Sequence, residues 1–161
     1  MPDPSPAPEP TIIPSISELK NHIGKRLGPS PWTEVGQERI DRFAEATGDR
    51  QWIHVDAERA AVESPFGCTV AHGYLTLALA PVLLPRIVEV RGASMVVNYG
   101  LDKMRLPTPV PSGSRVRLSG EIKNVRELKG GAARVVVSLA FEVEGEKRPA
   151  CTADAVYVYF P

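Results

Sequence analysis

The chain has 161 residues, 19 Lys+Arg against 19 Asp+Glu, and 43% apolar content. That length suits one domain with a real core, and the charge balance leaves no basic excess to mark a nucleic-acid or acidic-membrane partner. Two cysteines, Cys68 and Cys151, stand far apart outside any CxxC pattern, which argues against a metal site or disulfide framework and for a reducing compartment, the cytoplasm.

Residues 1–14 carry six prolines and almost no apolar periodicity. Proline lacks an N–H, so this stretch is expected to be an extended, poorly ordered tail ahead of a single domain over 15–161. It has no basic segment followed by an apolar one, so no signal peptide is expected. Ser15 or Ser17 can cap a short helix carrying Ile16, Leu19 and Ile23, closed by Gly24. Trp32 to Val35 alternates like a strand. Gln37 to Ala46 places Ile40, Phe43 and Ala44 at helical spacing, and Thr47-Gly48 stops it. Asp56 is a good cap for a helix over Ala57 to Glu63, which Ser64-Pro65 ends.

Ala71 to Ile87 is apolar nearly all round, which predicts a helix buried on most sides. Pro81 inside it predicts a kink. Its longest apolar stretch, Tyr74 to Leu84, carries Thr76 and Pro81 and is too short to span a bilayer. Beyond Gly92 the chain turns to Val-rich and aromatic segments over 93–105, 115–128, 132–144 and 149–159, with a phase slip suspected at Gly120. Lys129-Gly130-Gly131 and Glu144-Gly145-Glu146 are hairpin turns. The expected class is α+β: a long central helix wrapped by a curved antiparallel sheet, the hot-dog arrangement.

Asp49 and His54 lie five residues apart, just after the helix stop. A carboxylate beside an imidazole fixes its tautomer and can hold and activate a water. Either residue could instead be structural, Asp49 as a cap and His54 as a turn residue. Gly73 falls in the first turn of the apolar helix, where N–H groups lack intrahelical partners. Its N–H could stabilise a developing oxyanion, or the glycine could merely permit close helix–sheet packing. His72 alone reads as a core or cap residue.

The combination is more specific than its parts. Phe43 to Asp56 (FAEATGDRQWIHVD), Ser64 to Gly67 (SPFG) and Ala71 to Thr76 (AHGYLT) resemble the MaoC-like (R)-specific enoyl-CoA hydratases, in their nodulation-protein-N-like branch. The resemblance implies a hot-dog fold, a homodimer, and hydration of a trans-2-enoyl thioester of CoA or acyl carrier protein to the (R)-3-hydroxyacyl product. It implies Asp49 and His54 as the water-holding pair, the Gly73 N–H as oxyanion donor, and no cofactor or metal, CoA belonging to the substrate. His72, Gln51 and Trp52 are expected beside the substrate. The broader hydratase pattern has Asn-Pro where this chain has Gln51-Trp52, so the loop keeps an amide and loses a rigid proline. Trp52 could wall the acyl pocket or simply pack.

Two other functions fit such a fold: a thioesterase, and a non-catalytic acyl-thioester-binding subunit. Weaker candidates are Lys103, Arg105, Arg126 and Lys129 for CoA phosphates, Asn98 and Asp102 on a strand passing the pocket, and Cys68 as a nucleophile.

Overall fold

The computed structural model describes residues 8–161. Its strands are β1 (Thr11–Ile13), β2 (Arg26–Leu27), β3 (Thr33–Val35), β4 (Val88–Val90), β5 (Met95–Arg105), β6 (Ser114–Glu127), β7 (Ala133–Val143) and β8 (Cys151–Phe160). The helices are α1 (Gln37–Thr47), α2 (Trp52–Val55), α3 (Ala57–Glu63), α4 (Gly73–Ala78) and α5 (Ala80–Leu83), with a 3-10 turn over Leu84–Arg86.

One antiparallel sheet runs β2-β6-β7-β8-β5, with β3 also paired to β6 and β5 at one edge. Along β7, buried and half-buried residues alternate strictly, as a strand with one face on a core must. Val135, Leu139 and Phe141 of β7 join Val116 and Leu118 of β6 in a core with Leu75 of α4, Leu83 of α5 and Leu79 between them. This is the expected α+β hot-dog layering, helix against the concave face of a sheet.

Three expectations need correcting. Half of the predicted tail, residues 1–7, lies outside the described residues, but Thr11–Ile13 is no loose tail. It pairs in parallel with β4, and Ile13 is fully buried. Three β-branched residues outweigh the prolines around them. The central helix begins at Gly73 rather than Ala71 and breaks at Leu79, two residues before Pro81, which cannot donate to the Leu77 carbonyl. Nor is it buried nearly all round: Tyr74 and Val82 are 69% and 61% exposed. Finally, Val116, Leu118 and Ile122 keep one phase straight through Gly120. The slip falls between Ile122 and Asn124.

Two bulges interrupt the β5–β8 pairing, one at Asn98/Gly100 and one at Asp102/Arg105. Lys103, within the second, adopts φ 52°. The segment before α1 is a 3-10 helix, Ile16–His22, which buries Ile16 and Leu19 without a side-chain cap from Ser15. The cap expected at Asp56 is present, its carboxylate accepting from the Arg59 N–H at 3.0 Å.

Candidate active site

Gly48 takes the left-handed conformation that ends α1, its N–H donating to the Ala44 carbonyl. The chain then turns at Asp49, whose Oδ1 accepts from the Gln51 N–H at 3.4 Å. The stretch to His54 was expected to be loop, but it contains the single helical turn α2. That turn sends His54 inward, leaving it 7% exposed. The Ile53 carbonyl accepts from the Val70 N–H at 3.0 Å, so α2 is stitched to the segment that leads into α4.

The imidazole of His54 donates from Nδ1 to the Val70 carbonyl at 2.6 Å. A carbonyl can only accept, so Nδ1 carries the proton and the neutral ring keeps its lone pair on Nε2. His72, 3% exposed, stacks on His54 with centroids 3.8 Å apart and planes 26° apart. The Phe43 ring also packs against His72, at 4.9 Å. His72 donates from Nε2 to the Asp49 main-chain carbonyl at 2.9 Å. The Asp49 carboxylate is further from it, with Oδ2 at 3.9 Å, so the backbone bond dominates that contact. Nδ1 of His72 is buried without a hydrogen-bond partner among the described residues.

Asp49, His54 and His72 thus bring one nitrogen or carboxylate oxygen each to within 4.8 Å of the others. The Asp49 side chain is the open member, 55% exposed. A water with two hydrogen bonds of about 2.8 Å spans such a gap. The same three residues are less suited to a metal. The two rings stack 3.8 Å apart and 26° from parallel, so their in-plane lone pairs do not converge on one ion.

Gly73 is the first residue of α4, and its N–H has no acceptor among the described residues. A β-carbon there would stand 2.3 Å from Leu106 Cδ1, the end of a flexible side chain. A mostly apolar cavity of about 430 Å³ begins at the next residue, Tyr74, between α4–α5 and strands β5 and β8. Tyr99, Leu101, Val156 and Tyr157 line it, together with Asn98.

Trp52 and Gln51 do not line that cavity. Trp52 is half-buried with the Arg59 guanidinium 4.4 Å over its ring, and Gln51 is exposed. Lys103 pairs with Asp154 at 3.4 Å, and Arg105 donates to the neighbouring Met104 carbonyl. Asp102, Arg126 and Lys129 are exposed. Cys68 is half-buried, and its thiol lies 3.6 Å from the Phe66 carbonyl. Cys151 is fully buried, and burial pushes its thiol up to about 11.

Two site residues escape sequence reasoning altogether. Gln37, the first residue of α1, donates from Nε2 to the His54 carbonyl at 2.7 Å and to Asp41 Oδ1 at 2.8 Å. Its Oε1 accepts from the Thr69 hydroxyl at 2.6 Å. A glutamine at a helix start and a threonine before an apolar run carry no local signal.

A buried imidazole thus clusters with an exposed carboxylate in a hot-dog fold; neither these residues nor Gly73 line the apolar cavity, which begins at Tyr74, one residue beyond Gly73. The family model described as "MaoC like domain" matches residues 18–143. The chain belongs to that family. It is 47% identical to the 3-hydroxyacyl-thioester dehydratase Z of Mycobacterium tuberculosis (strain ATCC 25618 / H37Rv) over 90% of this chain and 95% of that one. It is 43% identical to nodulation protein N of Rhizobium leguminosarum bv. viciae, over 89% of this chain and 90% of that one. The crystal structure titled as the (R)-hydratase from A. caviae involved in PHA biosynthesis superimposes with TM-score 0.69 at 23% identity, covering 86% of this chain and 96% of that one.

Proposed function

We propose that the chain is a hydro-lyase that interconverts a trans-2-enoyl thioester and the (R)-3-hydroxyacyl thioester. The observation that carries the reading is His54, buried and pinned through Nδ1 so that Nε2 has no partner among the described residues, in one cluster with the Asp49 carboxylate.

In the hydration direction a water is held between His54 Nε2 and Asp49. Its oxygen bonds to C3 of the enoyl thioester as Nε2 takes one proton. The C2–C3 π pair moves to form an enolate, whose charge collects on the thioester oxygen. The Gly73 N–H, unpaired at the start of α4, is the donor proposed for that oxygen. The proton on the imidazolium then passes to C2, and the ring returns to its starting tautomer. A positioned general base contributes about 10²- to 10⁴-fold. Asp49 orients the water and favours the imidazolium while it exists. The 430 Å³ cavity takes the acyl chain. No metal or cofactor is assigned; CoA or acyl carrier protein is the substrate's handle. His72 buttresses both partners, stacking on His54 and holding the Asp49 backbone.

We read the protein as a cytoplasmic homodimer. β5 is an open edge whose Met95, Val96, Tyr99 and Leu101 are exposed beside the bare apolar face of α4–α5. Such an edge invites pairing, and two-fold symmetry closes it. Both cysteines are free, which fits a reducing compartment. Among the described residues no helix is long and apolar enough to cross a membrane.

The test is hydration of crotonyl-CoA and longer enoyl-CoAs by wild type, Asp49→Asn and His54→Gln. Each variant is expected to lose at least about 10²-fold in kcat. Full activity in both variants would refute the assignment. Free thiol release without hydration would turn it into a thioesterase.

A further inference from the structure

We propose that Gln37 and Thr69 form a positioning pair that sets the orientation and tautomer of His54, without touching substrate. The inference rests on the reading of His54 as the proton-transfer group.

The hydrogen bonds make a closed circuit around His54. Its main-chain carbonyl accepts from Gln37 Nε2 at 2.7 Å. Gln37 Oε1 accepts from the Thr69 hydroxyl at 2.6 Å. Thr69 precedes Val70, whose carbonyl accepts the His54 Nδ1–H at 2.6 Å. Backbone and ring of one histidine are therefore held by the two ends of one three-residue bridge. The amide orientation is unambiguous, because the His54 carbonyl and the Asp41 carboxylate both require Nε2 as donor. Every polar atom of the Gln37 amide is thereby used. Thr69 is itself 4% exposed, and its carbonyl accepts from the Ser112 N–H at 2.9 Å, so the far end of the bridge is fixed to the sheet side of the fold.

The chemical consequence follows from the tautomer. Nε2 is a base only while Nδ1 keeps its proton, and Nδ1 keeps it because the Val70 carbonyl is aimed at it. Loosening Gln37 or Thr69 lets the Val70 carbonyl and the His54 ring drift apart. The free lone pair is then lost or misaimed. Substrate binding in the apolar cavity is untouched, so the loss belongs in kcat.

The test compares hydration kinetics of Gln37→Leu, Thr69→Val, Thr69→Ser, the Gln37→Leu/Thr69→Val double variant and His54→Gln, with melting curves and NMR of the imidazole nitrogens. Gln37→Leu and Thr69→Val are expected to lower kcat about tenfold, what one positioned hydrogen bond supplies, with KM within about twofold. Thr69→Ser restores the donor and recovers most of that loss. The double variant is no worse than the poorer single one, because both cut the same bridge. The imidazole signals lose the pure Nδ1–H form in Thr69→Val. Unchanged kcat in Gln37→Leu and Thr69→Val, or equal loss in Thr69→Ser and Thr69→Val, overturns the proposal. His54→Gln separates the two levels. If it alone is inactive, the catalytic reading survives and only the positioning pair falls; if it is fully active, both fall. Should Gln37→Leu fail to fold, the two Thr69 variants decide the matter.

Discussion

A β-carbon on Gly73 would meet Leu106 Cδ1 at 2.3 Å, but Leu106 is half-exposed and the contact is with the flexible end of its side chain. Gly73→Ala therefore tests two roles of the glycine that can be separated. Alone it should lower both Tm and activity. Paired with Leu106→Ala, which vacates the space, the Tm should recover in part. If hydration activity also recovers fully, Gly73 is a packing residue; if kcat stays depressed, the backbone there serves the chemistry. At this scale the spacing of Asp49 and His54 after a helix stop only allowed the pair to meet; it was the resemblance of the surrounding motifs that singled them out. His72 was underrated because stacking on His54 is a tertiary fact. Gln37 was invisible because its partners lie 17 and 32 residues away.

Among the elements, β1 departs most from what composition suggests. Ile13 is fully buried under the β1–β4 pair while Ile12 beside it is exposed. Ile13→Ala should cost about 2–5 kcal/mol in chemical denaturation and Ile12→Ala under about 1 kcal/mol. Equal effects would mean the strand does not hold in solution. The four long segments of the sheet were readable from period-two alternation, and β7 shows why: one covered face writes itself into every second residue. The central helix was readable by its apolar run, but its exposed face was not. An apolar stripe left exposed looks identical, in sequence, to one covered by its own sheet. Val97→Lys on β5, a half-exposed apolar position at the open edge, should shift the solution mass toward monomer. An unchanged solution mass would contradict pairing through β5.

At the scale of the whole molecule, stability at alkaline pH follows from two buried phenols. Burial pushes Tyr157 and Tyr159 up to about 12 from an ordinary value of 10.0, and Tyr159 is raised further by Tyr157 beside it. Their folded values exceed their unfolded ones. The folded state is thus favoured in full below pH 10, and the advantage is lost as pH rises from 10 to 12, by roughly 1.4 kcal/mol per unit and hydroxyl. Denaturant midpoints should hold to about pH 9.5 and then fall, and Tyr157→Phe should blunt the fall. A midpoint independent of pH up to 12 would contradict the burial of these hydroxyls. Fold class and chemistry were both within reach of the sequence because the family's motifs sit at the two points where the chain enters the site. What the motifs could not convey is how that site is held, since its fastening runs from α1 to the loop before α4. The most direct measurement of the central claim is the product formed from crotonyl-CoA by the purified protein, resolved by chirality. Rapid formation of (R)-3-hydroxybutyryl-CoA that disappears in His54→Gln is the predicted result. The (S) product, or an (R) product formed equally fast by His54→Gln, would contradict it.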